Sequence, residues 1–366
     1  MSAYKVHTIK GGGPVFLLRN ATLDDHQDLC SLAAFFDTVN LPHDEKVIHE
    51  LLEGSVRAFS GKETAPLKRE YLFVLEDGDR KVVGTSQVLA QHGTKEKPHI
   101  YFDVFDEERY SSSVDRYFRH KVLRIGFNYD GPSEIGGLVL HPSLRGRPGK
   151  LGKQLSFVRF LYIAQHRDAF RNKILAELLP PLEDDGHSLL WEALGRRFTG
   201  MSYAEADKSS KENKEFIQNL FPSGTIYTSL LDEKAQAVIG EVGKATVGVQ
   251  RMLGAIGFRA VPRIDPFDGG PHFEAKTSLI TPVRDAQRSV AKSCDVKTIR
   301  NAAGESAEGL VAFENAETGD FRAVWADFRY RDGFKIIEVP SESLERLGAV
   351  EGSPVASLPF ARHSRI

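Results

Sequence analysis

Residues 141–173 read HPSLRGRPGKLGKQLSFVRFLYIAQHRDAFRNK. An apolar run over 135–140 ends just before them, a basic glycine-bearing turn follows, and then a long amphipathic segment. Eight Lys or Arg residues stand in the stretch against one acid, Asp168. A strand that feeds a Gly-rich turn into a helix N-terminus makes an anion site. Main-chain N–H groups point outward there, and the helix dipole adds roughly half a positive charge. Each charge-assisted bond to a phosphate oxygen contributes about 1.5–3 kcal/mol. Arg145, Arg147, Lys150 and Lys153, with Gly149 and Gly152, are therefore the candidate pyrophosphate-binding residues; the competing reading is a solvated basic turn.

Beyond the turn, Leu151, Leu155, Val158 and Tyr162 fall on one helical face, and Phe157, Leu161 and Ala164 widen the stripe. That pattern predicts a largely buried helix. Strands are expected at 133–140 before it and 172–179 after it. The strand–helix–strand order makes them parallel through a right-handed crossover. Upstream, a short strand at 15–19 precedes a helix with Thr22 as N-cap, and a less regular helix runs over 47–59. Residues 71–75 and 81–89 flank Glu76-Asp77-Gly78-Asp79 and read as a hairpin. Further strand-like pieces lie at 98–105 and 120–129.

Downstream, helical pieces are expected over 188–198, 211–220 and 245–256. The first and last read as helices that stop at Gly195 and Gly257, and a strand follows at 259–264. Residues 321–328, 334–339 and 354–358 predict a small antiparallel β module, barrel-like. The chain thus divides into a leader 1–14, a main domain 15–280, a linker 281–294 and the β module 295–366.

Composition narrows the function. The chain has 366 residues, 41% of them apolar, with a formal net charge of −2. It can bury a substantial core, and the charge argues against general nucleic-acid binding. Aromatic platforms for base stacking are not interleaved with the basic turn. Cys30 and Cys294 offer neither a disulfide framework nor metal spacing, so no metal is expected. No apolar run approaches the ~20 residues of a membrane span, and the first residues lack the apolar core of a signal peptide. A cytoplasmic protein with no membrane partner is the expectation.

The basic turn resembles the phosphate loop of the GCN5-related N-acyltransferase superfamily, although Arg147-Pro148-Gly149-Lys150-Leu151-Gly152-Lys153 departs from the common Arg/Gln-x-x-Gly-x-Gly/Ala form. The chain is more similar to one branch, the arginine N-succinyltransferases. Similar in order are 71–77 (YLFVLED), 133–135 (SEI), 172–177 (NKILAE), 191–195 (WEALG), 214–217 (KEFI), 226–228 (IYT), 238–240 (VIG) and 264–271 (IDPFDGGP). The resemblance spans about 15–360 and implies an α+β fold, a mixed sheet flanked by helices with the small β module at the end. It implies succinyl-CoA as acyl donor and arginine or ornithine as the amine. In relatives the strand before the turn splays from its neighbour and meets the acyl-pantetheine, which puts Leu138 and Val139 at the acyl carrier. Two departures stand out. Relatives carry a His-Pro, with the His as proton donor, where this chain has Gly243 and Lys244. They also carry Ala-Glu-Met-Arg-Gly where it has Ala176-Glu177-Leu178-Leu179-Pro180.

Direct transfer needs a neutral amine, a donor to the developing oxyanion and a proton for the leaving thiolate. Peptide α-amines have a pKa of about 8, so positioning matters more than base strength. Glu134 and Glu177, on neighbouring strands, are candidates to bind a cationic substrate or relay its proton; ordinary salt-bridged carboxylates are the competing reading. His141 and Tyr227 are candidate proton donors, and His272, after Gly-Gly-Pro, reads as structural. Glu183, Asp184 and Asp185 read as a solvated acidic loop. Three functions compete: arginine (or ornithine) succinylation, transfer of another acyl group or to another amine, and a CoA-binding subunit inactive without a paralogue. A homo-oligomer or a pairing with such a paralogue is expected.

Overall fold

The computed structural model describes residues 16–35, 41–183, 186–212, 214–301 and 306–362. The leader, Val15, Asp184 and Asp185 lie outside them. The strands are β1 Leu17–Asn20, β2 Glu70–Glu76, β3 Val82–Leu89, β4 His99–Ser111, β5 Arg116–Asn128, β6 Ser133–Leu140, β7 Lys173–Glu177, β8 Ile226–Tyr227, β9 Arg259–Ile264, β10 Pro271–Lys276, β11 Gln287–Cys294, β12 Ser306–Glu314, β13 Phe321–Arg331, β14 Ile336–Pro340 and β15 Pro354–Arg362. The helices that matter most are α1 His26–Ala33, α2 Glu45–Phe59 and α3 Leu151–Gln165. Among the described residues no helix is long and apolar enough to cross a membrane. Contacts divide the chain into two units. One draws on Met1–Ala90, Ile135–Arg171 and Thr277–Ile366; the other on Gln91–Glu134 and Asn172–Lys276.

In the first unit the expected hairpin forms: β2 and β3 are antiparallel, with Phe73 opposite Ser86. Asp77 Oδ1 accepts from the Asp79 and Lys81 amides at 3.0 Å each, which closes the turn. Successive side chains of β2 leave by opposite faces. Leu72 and Val74 join Leu29, Leu32, Ile48 and Leu52 of α1 and α2 in one core. Tyr71 and Phe73 instead meet Tyr162 of α3, with ring centroids 5.1 and 5.4 Å away. The helix α3 is buried on nearly every side from Gln154 to Ile163, as its wide apolar stripe predicts. α2 starts at Asp44, whose carboxylate accepts from the Lys46 and Val47 amides.

Residues 281–294, expected as a linker, are a short helix, Thr281–Asp285, and then β11. β11 closes a five-stranded barrel in the order β12-β15-β11-β14-β13, with β13 returning to β12. The β11–β14 pair is parallel, so the module is not wholly antiparallel, contrary to expectation. Nor is the module separate, since β13 also pairs with β1 at Leu18↔Ala323. The boundary at 281 was misplaced because β11 points small side chains, Ser289 and Ala291, into the barrel, and these give no apolar alternation.

In the second unit the order is β7-β10-β9-β4-β5-β8. The first two residues of β6 lie parallel to β7, at Ser133↔Ile174 and Glu134↔Leu175, as expected. β4 and β5 form a far longer hairpin than the sequence suggested, pairing from His99↔Asn128 to Ser111↔Arg116. Trp191 is fully buried and stacks on Phe267 at 5.1 Å. Gly195 does not end its helix, which runs on to Thr199 and stops at left-handed Gly200. Glycine is needed at this helical position because a Cβ would sit 2.3 Å from the Trp191 ring. Gly257, at φ 114, does follow the end of its helix.

Candidate active site

The basic turn lies in the first unit, and its main chain has the expected form. Pro142–Leu144 make one 3₁₀ turn, Gly146 and Gly149 take φ of 71 and 104, and α3 begins at Leu151. Lys150 is the N-cap with φ 54, a left-handed conformation that costs a non-glycine residue roughly 1–2 kcal/mol. Its carbonyl takes both the Lys153 and Gln154 amides, at 2.8 and 3.0 Å, and no side chain caps the helix. The first amides of a helix have no intrahelical acceptor. Those of Leu151 and Gly152 are therefore oriented for an anion. A Cβ added at Gly146 or Gly152 would meet nothing within 4 Å, so the space beside the turn is open.

The four cations differ in what they can do. Lys150 Nζ is 2.9 Å from Glu308 and 5.3 Å from the Trp325 ring centre. Lys153 Nζ rests on Phe360 and Phe157, at 4.5 and 5.0 Å, and burial pulls its pKa down. Both lysines are thus engaged with the barrel or with α3. Arg145 Nε reaches the Leu140 carbonyl at 3.4 Å, and the Arg147 amide reaches the Leu144 carbonyl.

The strand that delivers the turn is kinked. Gly137 in β6 has φ 55, and a Cβ there would stand 2.8 Å from Gln87 Oε1. Its carbonyl accepts from Thr85 Oγ1 at 2.9 Å, and the Gly136 carbonyl accepts from Arg159 Nη1 at 3.1 Å. Val139 points into the core with α1 and α2, whereas Leu138 is half-buried. So Leu138 keeps an accessible side chain and Val139 offers main chain only.

His141 has a local task. It caps the 3₁₀ turn, with Nδ1 2.8 Å from Ser143 Oγ, and its ring packs edge-on against Phe35. Burial lowers its pKa.

The second unit holds a cluster that sequence reading found only in part. β10 pairs with β7 so that His272 lies directly opposite Glu177. Such opposed residues have Cβ atoms about 4.5–5.5 Å apart. His272 Nε2 is 3.2 Å from Glu177 Oε1, and His99 Nε2, from the start of β4, is 3.0 Å from the same oxygen. His99 meets His92 edge-on at 4.3 Å, and His92 Nδ1 contacts Glu134 Oε2. Glu134 and Glu177, named from the sequence, are thus each backed by histidine. His92 and His99 carried no motif. The one available hint was a histidine set among buried strand residues, as in His99-Ile100-Tyr101-Phe102. His272, read as structural, is fully buried; its Nε2 meets Glu177 as an ion-pair contact and neither ring nitrogen has an aligned hydrogen bond among the described residues.

The electrostatics follow from burial and proximity. Burial, then His92, pushes His99 down to about 4, so it is neutral at pH 7 and can donate from Nε2. Burial works against charge on Glu177, but the adjacent His272 and the hydrogen bond from His99 hold it well below the usual carboxylate range. Burial likewise opposes charge on His272, which Glu177 nevertheless pushes up. Asp265 is driven up to about 6 by burial and by Glu177, and Asp268 upward by burial and by Asp265.

The ligand atoms of His99, Glu177 and His272 lie within 4.8 Å of one another, a donor set that a divalent ion accepts. Yet the two rings stack with planes only 19° apart. In-plane lone pairs on displaced, near-parallel rings converge poorly on one ion. The arrangement suits a carboxylate hydrogen-bonded by His99 with His272 as its ion-pair neighbour better than a chelate.

Tyr227 is not brought to this cluster. Its hydroxyl donates to Glu107 at 3.0 Å and accepts from Arg109. Glu107 lies eight positions beyond His99 on β4, about 26 Å away at roughly 3.3 Å per residue. Gly243 has no room for a side chain: a Cβ would come 2.5 Å from the Pro180 carbonyl oxygen and 3.0 Å from that of Leu179. Its amide donates to Leu179 O at 2.8 Å. The two sequence departures are therefore one packing arrangement.

Comparison with known proteins agrees with this architecture. A profile described as arginine N-succinyltransferase beta subunit matches residues 16–282. The arginine N-succinyltransferase subunit beta of Pseudomonas aeruginosa is 32% identical over 352 residues, covering 95% of this chain and 99% of that protein. The arginine N-succinyltransferase of Yersinia pseudotuberculosis is 33% identical over 320 residues, covering 86% and 89%. Among solved structures, arginine/ornithine succinyltransferase subunit AI from Pseudomonas aeruginosa superposes with a TM-score of 0.79 at 27% identity, over 95% of this chain and 100% of that one. With its α+β fold and this similarity along nearly its whole length, the chain belongs to the arginine N-succinyltransferase family.

Proposed function

We propose that this protein transfers a succinyl group from succinyl-CoA to the α-amine of arginine, with ornithine as the alternative acceptor. The observation that carries this is the uncapped first turn of α3, fed by the Gly137 kink, in a chain of this family. The Leu151 and Gly152 amides hold the diphosphate, and Arg145 and Arg147 supply positive charge beside it. Lys150 and Lys153, tied elsewhere, shape the turn. Pantetheine runs along the β6 main chain past Leu138 and Val139. The neutral amine attacks the thioester carbonyl, a main-chain N–H stabilises the oxyanion, and the thiolate leaves with a proton. Glu134, backed by His92, is the proposed proton carrier for the amine. His141 remains a candidate donor to the thiolate, while Tyr227 is assigned to the β4–β5 hairpin. The protein acts without a resident metal, in the cytoplasm.

The test is a steady-state assay of thiol release with succinyl-CoA or acetyl-CoA and a panel of amines. A succinyl preference above tenfold in kcat/KM, about 1.4 kcal/mol, with arginine or ornithine supports the proposal. Release with neither amine refutes it. Efficient use of another acyl-CoA or amine would favour the second reading, which the Leu178-Leu179-Pro180 segment motivates. The bare Gly243 position motivates a third, a CoA-binding subunit that needs a paralogous partner. Turnover by the purified chain alone excludes that one.

A further inference from the structure

Three side chains of the cluster differ in what they show to solvent. The Glu177 side chain is 23% exposed, that of His99 4% and that of His272 0%. Both imidazoles bear on one oxygen, Oε1, and among the described residues Oε2 has no partner. One carboxylate oxygen is fixed from behind and the other faces outward. Resting on the acyl-transfer reading, we propose that Glu177 grips the side-chain cation of the amine substrate, a guanidinium or second ammonium remote from the reacting nitrogen, and that His99 and His272 are positioning residues that aim it.

The chemistry separates this role from that of a base. A carboxylate held below its usual range is a weak proton acceptor, so it suits a partner that keeps its charge. A guanidinium stays protonated at any pH the protein survives. The attacking amine, by contrast, must shed a proton. The surroundings also favour a cation. Asp265 and Asp268 are buried carboxyls whose charge Glu177 opposes. Facing these three acids are His272 and Lys214, with neutral His99 and its neighbour His92 alongside. A guest cation at Oε2 relieves that like-charge repulsion. The His272 ring is fully buried with no aligned hydrogen bond among the described residues, and its one polar contact is the 3.2 Å ion pair to Glu177, a placement that is costly unless holding Glu177 serves the site.

The experiment compares arginine with citrulline, its neutral ureido counterpart, in wild type, Glu177→Gln, His272→Asn and His99→Asn. For Glu177→Gln the arginine KM should rise at least tenfold with kcat within about threefold, and the arginine/citrulline discrimination should collapse. The histidine variants should shift KM in the same direction by a smaller factor and leave the CoA Kd unchanged, which a merely misfolded site would not do. A Glu177→Gln enzyme with unaltered discrimination overturns the proposal. So does one that loses kcat at constant KM, which would make Glu177 the base. If wild type binds CoA but acylates no amine, the acyl-transfer reading fails by itself. Arginine binding by calorimetry then decides the cation site: loss in Glu177→Gln upholds it, and equal binding in both refutes it.

Discussion

Arg159 Nη1 donates a 3.1 Å hydrogen bond to the carbonyl of Gly136, the residue before the left-handed Gly137. Arg159 is 2% exposed, and its other hydrogen bonds go to Ser156. Among the described residues no carboxylate is paired with it, and burial brings its pKa down to about 9. The charge is held at a cost on the order of several kcal/mol, offset against about 1–3 kcal/mol for leaving the Gly136 carbonyl without a donor. Arg159→Met should therefore be at least as stable as wild type in urea yet bind CoA several-fold more weakly, because the kinked strand loses its tie. A loss of stability above ~2 kcal/mol with normal CoA binding would show that the arginine serves the core instead.

Gly137→Ala tests the kink directly. The positive φ costs a Cβ-bearing residue roughly 1–2 kcal/mol, and the new Cβ must displace the flexible end of Gln87. Equilibrium unfolding should show a loss of about that size, together with a raised KM for acyl-CoA. An unchanged acyl-CoA KM would mean that the kink does not position the carrier.

The basic turn should divide its cations unequally. Arg145→Ala/Arg147→Ala is expected to raise the CoA Kd about tenfold and flatten its salt dependence. Lys150→Ala, removing a cation already paired with Glu308, should change it less than threefold. Titration calorimetry at two ionic strengths reads both, and the opposite ranking would move the phosphate contacts to the lysine.

His99 should tie stability to pH. Its folded pKa is about 4 against an ordinary 6.5. Between those values the unfolded chain binds a proton that the folded chain refuses, so stability falls as pH drops through the window, by up to roughly 3 kcal/mol. Depressed Glu177 adds to the loss at still lower pH. Raised His272 acts the other way: its contribution is full below 6.5 and fades as pH rises through its folded pKa. Urea unfolding of wild type and His99→Asn from pH 4 to 7 should show the slope in wild type and a flatter line in the variant. Parallel slopes would remove His99 from the account.

Chelation should leave the enzyme unharmed. Incubation with EDTA or phenanthroline is expected to change neither turnover nor melting temperature, in keeping with the near-parallel His99 and His272 rings. Loss restored by zinc would convert the cluster into a metal site.

Much of this protein is written locally. The strand over 133–140, the basic turn and the buried helix after it follow from apolar periodicity and from glycines placed where the chain must turn left-handed. Those signals span only a few residues, so the sequence by itself determined this strand–turn–helix unit and the family. The histidine cluster could not be read that way. His92, His99, Glu134, Glu177 and His272 lie far apart in the chain and meet because strand register sets His272 opposite Glu177 and brings the start of β4 alongside. The barrel's fifth strand was hidden for a related reason, since Ser289 and Ala291 are inward-facing by pairing and not by hydrophobicity. Register is a property of the assembled sheet: hydrogen bonding between distant strands chooses which side chains oppose, and only the tertiary structure decided that two imidazoles would hold one carboxylate.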